Sequence, residues 1–84
     1  LSDDMGQDSI RVNCISAGPI RTLAASGIPG LRNIFEMVDE RAPLRRNVTT
    51  EDVGGTAVFL ASALSNGVTG QVLFVDSGIS ILGI

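Results

Sequence analysis

Residues 10–22 decide the fold, and they read IRVNCISAGPIRT. In the first half of this stretch, β-branched residues alternate with polar ones and then become continuously apolar, which is typical of a strand that enters the interior of a sheet. The glycine-proline pair that follows is a turn signal. The sequence therefore predicts a buried strand over residues 10–15, then a loop, then a helix that opens at Thr22.

A second strand is predicted over residues 71–75, a short and continuously apolar run of the kind found in buried parallel strands. A helix precedes it. Thr49 is a typical N-cap, and Glu51 and Asp52 place negative charge in the first turn, where the helix dipole favours it. We expect this helix to end at about Leu64.

A further helix is indicated beyond a break at Pro29-Gly30, where apolar residues recur at i, i+3, i+4 and i+7. The residue before a proline avoids the helical region, so this helix ends at Ala42-Pro43. With the helix that opens at Thr22, it forms a helix pair. The apolar stripe consists of Leu31, Ile34, Phe35 and Val38.

The order of these elements predicts an α/β fold. Two strands separated by a helical crossover form a βαβ unit, and buried parallel strands need helices on both faces and further strands beside them. We therefore expect residues 1–84 to be the carboxyl-terminal part of one doubly wound, Rossmann-like domain. Residues 1–7 look like a helix end closed by a left-handed Gly6. Gly54-Gly55 suggests close approach to another backbone.

The composition excludes several kinds of chemistry. The 84 residues have a net charge of -3, with no His, Tyr or Trp, and every basic residue is an arginine. A Ser-His-Asp triad, a Schiff-base lysine, a tyrosine acid and a histidine-ligated metal site are therefore excluded for this chain alone. The acidic balance argues against a nucleic-acid partner. No apolar run is long enough for a membrane span. The lone Cys14 is expected to be a buried, reduced thiol.

The loop that follows the first strand is the predicted binding site, because ligands of open parallel sheets lie outside the carboxyl ends of the strands. Gly18 would let the backbone approach a ligand closely, and Thr22 could hold a phosphate at a helix start. An ordinary strand-to-helix turn capped by Thr22 stays an open alternative.

These stretches resemble a known family. Residues 10–13, the glycine-proline turn, residues 51–54 and residues 69–78 are similar to the carboxyl-terminal third of the short-chain dehydrogenases/reductases. Residues 15–28 resemble the divergent branch of that superfamily, the NADH-dependent enoyl-acyl carrier protein reductases of bacterial type II fatty acid synthesis.

The resemblance implies a site for NADH. The backbone N–H and C=O of Ile20 would pair with the nicotinamide carboxamide, and Thr22 would contact the pyrophosphate. The other implied cofactor-binding residues are Ala17, Gly18, Pro19, Leu23 and Ala24.

The resemblance also implies a substrate-binding flap over residues 22–42. Ala24, Ala25 and Ile28 would face the enoyl chain, with Leu31 and Ile34 deeper in the same wall, although a plain core role for the helix stripe stays open. Arg32 would meet the acidic acyl carrier protein. For Arg45-Arg46, a solvated or intrachain-paired role is favoured over carrier docking. Asp76 is expected to fix the turn after the last strand.

The family's catalytic tyrosine and lysine would lie just upstream of Leu1, so the chain alone is expected to be inactive. The implied partners are the enoyl-acyl carrier protein and the remaining part of the same reductase, in a cytoplasmic homotetramer of bacterial type. Two alternatives stay open: a segment of another short-chain reductase, such as a 3-oxoacyl reductase, and a noncatalytic assembly piece.

Overall fold

The computed structural model describes residues 1–22 and 27–82. The helix predicted to open at Thr22 falls mostly on residues 23–26, outside the described residues; the other elements follow the predicted order of helix, strand, helix, helix and strand. They are α1 (Ser2–Gly6), β1 (Cys14–Ala17), α2 (Leu31–Arg41), α3 (Thr50–Ala61) and β2 (Val72–Val75), with 3-10 turns at Ala63–Ser65 and Ile79–Leu82.

The two strands pair in parallel, as the βαβ pattern predicts, with Cys14 opposite Val72 and Ala17 opposite Val75. The fold class expected from the sequence, part of a Rossmann-like α/β domain, is confirmed by this sheet. The first strand begins later than predicted, because residues 11–13 make hydrogen bonds outside the pairing of the two strands. The Val12 N–H, for example, donates to Thr69 Oγ1 at 3.1 Å instead of joining the ladder.

Arg11 and Asn13 hold the approach to β1 against the end of α3. The Arg11 guanidinium donates to the carbonyl oxygen of Leu60, in the last turn of α3, at 2.9 Å and to that of Ser65, in the 3-10 turn that follows, at 2.7 Å. Asn13 donates from Nδ2 to the Val68 carbonyl at 2.9 Å. Cationic groups are favoured at helix carboxyl termini, so these contacts fix the crossover to the sheet.

Helix α2 starts after Gly30, whose φ of 81° favours glycine, and ends where Ala42 turns to an extended conformation. Its end therefore lies where the Ala42-Pro43 signal predicts. The inner face of α2 is part of the small core, in which four apolar residues of the described part of the chain are buried. They are Phe35, Val38, Ala42 and Val48.

Helix α3 opens with the predicted threonine cap. Thr49 Oγ1 accepts from the Asp52 N–H at 3.2 Å, and the Thr49 N–H donates to Asp52 Oδ2 at 2.8 Å, which completes a capping box. The helix ends at Ala61, earlier than the expected Leu64, because the Ser62 side chain caps the 3-10 turn that follows.

Three expectations about single residues are wrong. Gly6 has no positive φ, and the left-handed residue after α1 is Ser9, with a φ of 60°. A Cβ at Gly54 or Gly55 would meet no atom within 4 Å in the described part of the chain. Cys14 is exposed in the described part of the chain instead of buried.

Apolar side chains remain exposed on α3 and β2, including Val58, Phe59, Val72 and Phe74. The expectation that strand residues are buried on both faces is therefore not met within the described residues. Among residues 1–22 and 27–82, no helix has the length and apolar character that a membrane crossing requires.

Candidate functional site

The loop after β1, residues 18–22, lies at the carboxyl end of the two parallel strands. The Gly18 N–H donates to the Val75 carbonyl at 3.0 Å and so extends the ladder by one bond. A Cβ on Gly18 would lie 3.2 Å from both Cα and Cβ of Asp76. The sequence correctly indicates a close approach at Gly18, and the neighbour that the structure shows there is the chain's own Asp76.

Asp76 fixes the turn after β2, as expected. Its buried carboxylate accepts from the Gly78 N–H at 2.9 Å and from the Ser80 N–H at 3.2 Å. Gly78 has a φ of 91°, and a Cβ there would be 2.7 Å from the Pro43 ring. The turn after β2 therefore supports both the loop after β1 and the chain that leaves α2.

Ile20 presents an unpaired backbone. It is half-buried, and neither its N–H nor its C=O makes a hydrogen bond within residues 1–22 and 27–82. Together with Arg21 it lines one side of a groove of about 490 Å³. Asp39 and residues 46–51 also line this groove. A ligand in this groove could use one donor and one acceptor of the Ile20 backbone.

The predicted cofactor-binding residues that the structure describes lie at the end of β1 and on the loop that follows it. Ala17 ends β1 and is exposed, Gly18, Pro19 and Ile20 are half-buried, and Thr22 is exposed on the same loop. Leu23, Ala24 and Ala25 lie outside the described residues.

Three predicted substrate residues, Ile28, Leu31 and Ile34, are described, and Phe35 belongs to the same apolar stripe as the last two. Ile28 and Ile34 are 56% and 43% exposed, and Leu31 is half-buried, so these three side chains are not fully packed by the described chain. Phe35 is 5% exposed and belongs to the core. The core alternative therefore holds for Phe35, whereas Ile28 and Ile34 leave apolar surface available.

The basic residues differ in their surroundings. The Arg32 side chain is 90% exposed and pairs only loosely with Glu36, at 3.4 Å. Arg45 Nη1 donates to the Ala42 carbonyl at 2.6 Å, and Arg46 Nη1 lies 2.7 Å from Asp52 Oδ2. The intrachain role favoured for Arg45 and Arg46 is confirmed.

Two carboxyl groups at the start of α3 have lowered pKa values. The Arg46 hydrogen bond and the Thr49 backbone N–H lower the pKa of Asp52 to about 2. For Glu51, its own backbone N–H and the hydroxyls of Thr49 and Thr50 lower the pKa. These carboxylates stay ionised near neutral pH, and their contacts are those of a helix start, as the sequence indicates.

One cluster of interacting side chains does not follow from the sequence pattern. Arg21 pairs with Asp39 at 3.2 Å and lies 5.0 Å from the centre of the Phe35 ring. Asn47 donates to the same Asp39 at 2.9 Å. The sequence carries only a weak signal for this cluster: Phe35 and Asp39 are four residues apart and share a helix face, but Arg21 and Asn47 come from separate loops.

Comparison with known proteins gives consistent matches over nearly the whole chain. The profile of a family described as enoyl-(acyl carrier protein) reductase matches residues 1–80. The NADH-type enoyl-acyl carrier protein reductase of Bacillus cereus is 59% identical over 83 residues, covering 99% of this chain and 32% of that protein. The NADPH-type enzyme of Staphylococcus aureus is 58% identical over 78 residues, covering 93% of this chain and 30% of that protein.

A solved structure agrees. The crystal structure of the Bacillus cereus enzyme with NADP+ and an indole naphthyridinone superposes with a TM-score of 0.91 at 58% identity, covering 99% of this chain and 32% of that one. The chain thus spans about a third of the length of the relatives it matches. On the extent of these matches, the chain belongs to the enoyl-acyl carrier protein reductase family.

Proposed function

We propose that the protein to which these residues belong reduces trans-2-enoyl thioesters of the acyl carrier protein with NADH, in type II fatty acid synthesis. The observation that carries this proposal is the backbone of Ile20, on a loop at the carboxyl end of two parallel strands, whose N–H and C=O make no hydrogen bond within residues 1–22 and 27–82. Ligands of such sheets bind at that end.

The residues fit a nicotinamide cofactor. A carboxamide has one acceptor and one donor group, which are complementary to the N–H and C=O of Ile20 that have no partner among the described residues. Gly18 is held against Asp76, so the loop presents this backbone pair from a fixed base. Ala17, Pro19 and Thr22 would line the same site, with Leu23 and Ala24 beside them. When bound, the cofactor supplies the hydride that is transferred to the β-carbon of the enoyl thioester.

The role of residues 22–42 in this proposal is that of a substrate wall. Ile28, Leu31 and Ile34 offer apolar surface for an acyl chain, and Ala24 and Ala25 would continue it. Sites for small molecules are mostly apolar with a few fixed polar groups, and the Ile20 backbone beside this surface has that character.

The catalytic acid must come from outside these residues. The chain has no Tyr, His or Lys, so it lacks most of the side chains that usually protonate an enolate near neutral pH. We assign this task to the tyrosine that the family resemblance places upstream, with its lysine. Residues 1–84 alone would therefore be inactive, and their contribution is to orient the cofactor and exclude water from the substrate.

Carrier docking and assembly complete the proposal. Arg32 is 90% exposed and weakly paired, so it can meet an acidic partner. A homotetramer with a cytoplasmic location is proposed on family membership alone. The comparisons reported above favour an enoyl over a 3-oxoacyl substrate, because these relatives carry the enoyl reductase name.

The test uses a chimera in which residues 1–84 replace the matching third of the Bacillus cereus reductase. Ile20→Pro removes the backbone N–H, whereas Ile20→Ala keeps the backbone and removes only the side chain. We expect the proline variant to raise the KM for NADH by roughly tenfold or more, the effect of one lost hydrogen bond in a fixed site, and the alanine variant to change it little. Equal effects of the two substitutions would contradict the role of the backbone.

A further inference from the structure

One carboxylate joins two loops that lie far apart in sequence. Asp39 Oδ2 accepts from Arg21 Nη2 at 3.2 Å, and Asp39 Oδ1 accepts from Asn47 Nδ2 at 2.9 Å. Arg21 belongs to the loop after β1, and Asn47 to the loop after α2. Asp39 itself lies on α2, so all three segments meet at this side chain.

The helix makes a second set of contacts with the same two partners. The Arg21 guanidinium lies 5.0 Å from the centre of the Phe35 ring, within the range of cation-π contacts. Asn47 Nδ2 also donates to the Phe35 carbonyl at 2.9 Å. Phe35 is buried, so this turn of α2 is fixed to the core, and Arg21 is held to it by both its charge and its planar face.

No single one of these contacts is strong. The side chains of Arg21 and Asp39 are 58% and 47% exposed, and exposed ion pairs of this kind contribute little to stability. Their effect is on geometry, because the Arg21 ion pair, the Arg21 cation-π contact and the Asn47 hydrogen bonds all hold the same turn of α2. Arg21 directly follows Ile20, and adjacent Cα atoms are only about 3.8 Å apart, so a shift of Arg21 is passed to Ile20.

From this geometry we propose that Asp39 is a positioning residue, which couples the loop carrying Ile20 to the helix carrying Leu31 and Ile34. The inference rests on the proposed function, in which Ile20 holds the cofactor and α2 faces the acyl chain. Cofactor binding that fixes the loop then also fixes the substrate wall, and the reverse holds because coupling between two sites is reciprocal.

The contact itself is tested without any ligand. Asp39→Asn in the chimera keeps an acceptor for Asn47 but removes the charge that pairs with Arg21. Glu40→Gln is the matched control, because the neighbouring residue loses the same charge and makes none of these contacts. Hydrogen exchange should become faster in residues 17–22 and 31–41 of the Asp39→Asn variant and stay unchanged in the control. Unchanged exchange in residues 17–22 would overturn the proposal.

Coupling is measured by the Kd of NADH with and without saturating butyryl-coenzyme A, a product thioester that cannot be reduced further. We expect butyryl-coenzyme A to tighten NADH binding at least fivefold in the unsubstituted chimera and in Glu40→Gln, the lower end of typical coupling. In Asp39→Asn the factor should fall at least threefold, and Asp39→Glu should restore part of it.

The outcomes separate the two proposals. A chimera that binds NADH, but in which the coupling is equal in Asp39→Asn and Glu40→Gln, overturns the positioning role and leaves the proposed function standing. A chimera that binds no NADH overturns the proposed function, and the exchange experiment still decides whether Asp39 fixes the loop to the helix.

Discussion

Gly18 lies so close to Asp76 that a Cβ on the glycine would come within 3.2 Å of both Cα and Cβ of the aspartate. This contact joins the loop after β1 to the turn after β2 at the carboxyl end of the sheet. The backbone of Ile20 is two residues further along the same loop. The position of the proposed cofactor site therefore depends on a glycine at position 18.

The Gly18→Ala substitution should destabilise the chimera. A distance of 3.2 Å is shorter than an ordinary carbon-carbon contact, and relief would require movement of the Asp76 backbone. Overpacking of this kind costs about 1–3 kcal/mol, measured as the free energy of unfolding in urea. Gly67→Ala is the control, because a Cβ there meets no atom within 4 Å of the described chain. An equal loss in both variants would refute the role of the contact.

The Asp76→Asn substitution should also destabilise the chimera. The carboxylate accepts from two backbone N–H groups, at Gly78 and Ser80, and an amide can accept from only one of them while its NH2 faces the other. Hydrogen bonds to charged groups contribute about 1.5–3 kcal/mol, so we expect a loss of that order in the same unfolding experiment. Asp8→Asn, at an exposed site, should have little effect. A loss of less than about 0.5 kcal/mol at Asp76 would show that the turn holds without its carboxylate.

Arg11→Lys tests the contact at the end of α3. The guanidinium reaches the carbonyls of Leu60 and Ser65 with different nitrogens, and an ammonium group cannot reproduce that fork. We expect a loss of about 1.5–3 kcal/mol in the free energy of unfolding. Arg41→Lys, at an exposed side chain without a hydrogen bond in the described chain, is the control. Identical stabilities of the two lysine variants would contradict the prediction.

The pH dependence of the free energy of unfolding should contain a contribution from the Asp52 carboxyl group. Its pKa falls from 3.8 to about 2 in the folded protein, so folding favours the ionised form. The stabilisation is complete above pH 3.8 and is lost as the pH falls towards 2. Asp52→Asn should lower the midpoint of unfolding in urea at pH 7 and flatten the fall of that midpoint between pH 4 and 2. The same slope in Asp52→Asn as in the unsubstituted chimera would contradict this assignment.

Local signals in the sequence were sufficient for the elements that the structure describes, whereas the helix predicted to open at Thr22 falls mostly outside the described residues. The threonine cap at Thr49, the Ala42-Pro43 stop and the Asp76 turn depend on neighbouring residues, and the structure bears out each of them. The parallel pairing of the strands followed from their pattern and their helical crossover. The ends of β1 and α3 were less predictable, because contacts of residues 11–13 and the Ser62 cap decide them.

Long-range contacts could not be predicted from such patterns. The sequence pattern places Arg11 as a polar residue in an alternating strand, yet the carbonyls that accept its hydrogen bonds lie near residue 65. Asp39 reads as part of the exposed side of a helix, and only the fold brings Arg21 and Asn47 to it. For Gly54-Gly55, the pattern suggested a close backbone that the described residues do not contain.

The central claim is that these residues form the cofactor loop and substrate wall of an enoyl reductase. The most direct test is the oxidation of NADH by the chimera with crotonyl-coenzyme A and with acetoacetyl-coenzyme A, beside the Bacillus cereus protein that lacks its carboxyl-terminal third. The chimera should reduce the crotonyl thioester with a kcat/KM within about tenfold of that of the intact enzyme, a difference of about 1.4 kcal/mol. The acetoacetyl thioester should not be reduced, and the truncated protein should have no activity. A folded chimera that leaves crotonyl-coenzyme A unreduced, or that prefers acetoacetyl-coenzyme A, would contradict the proposed function.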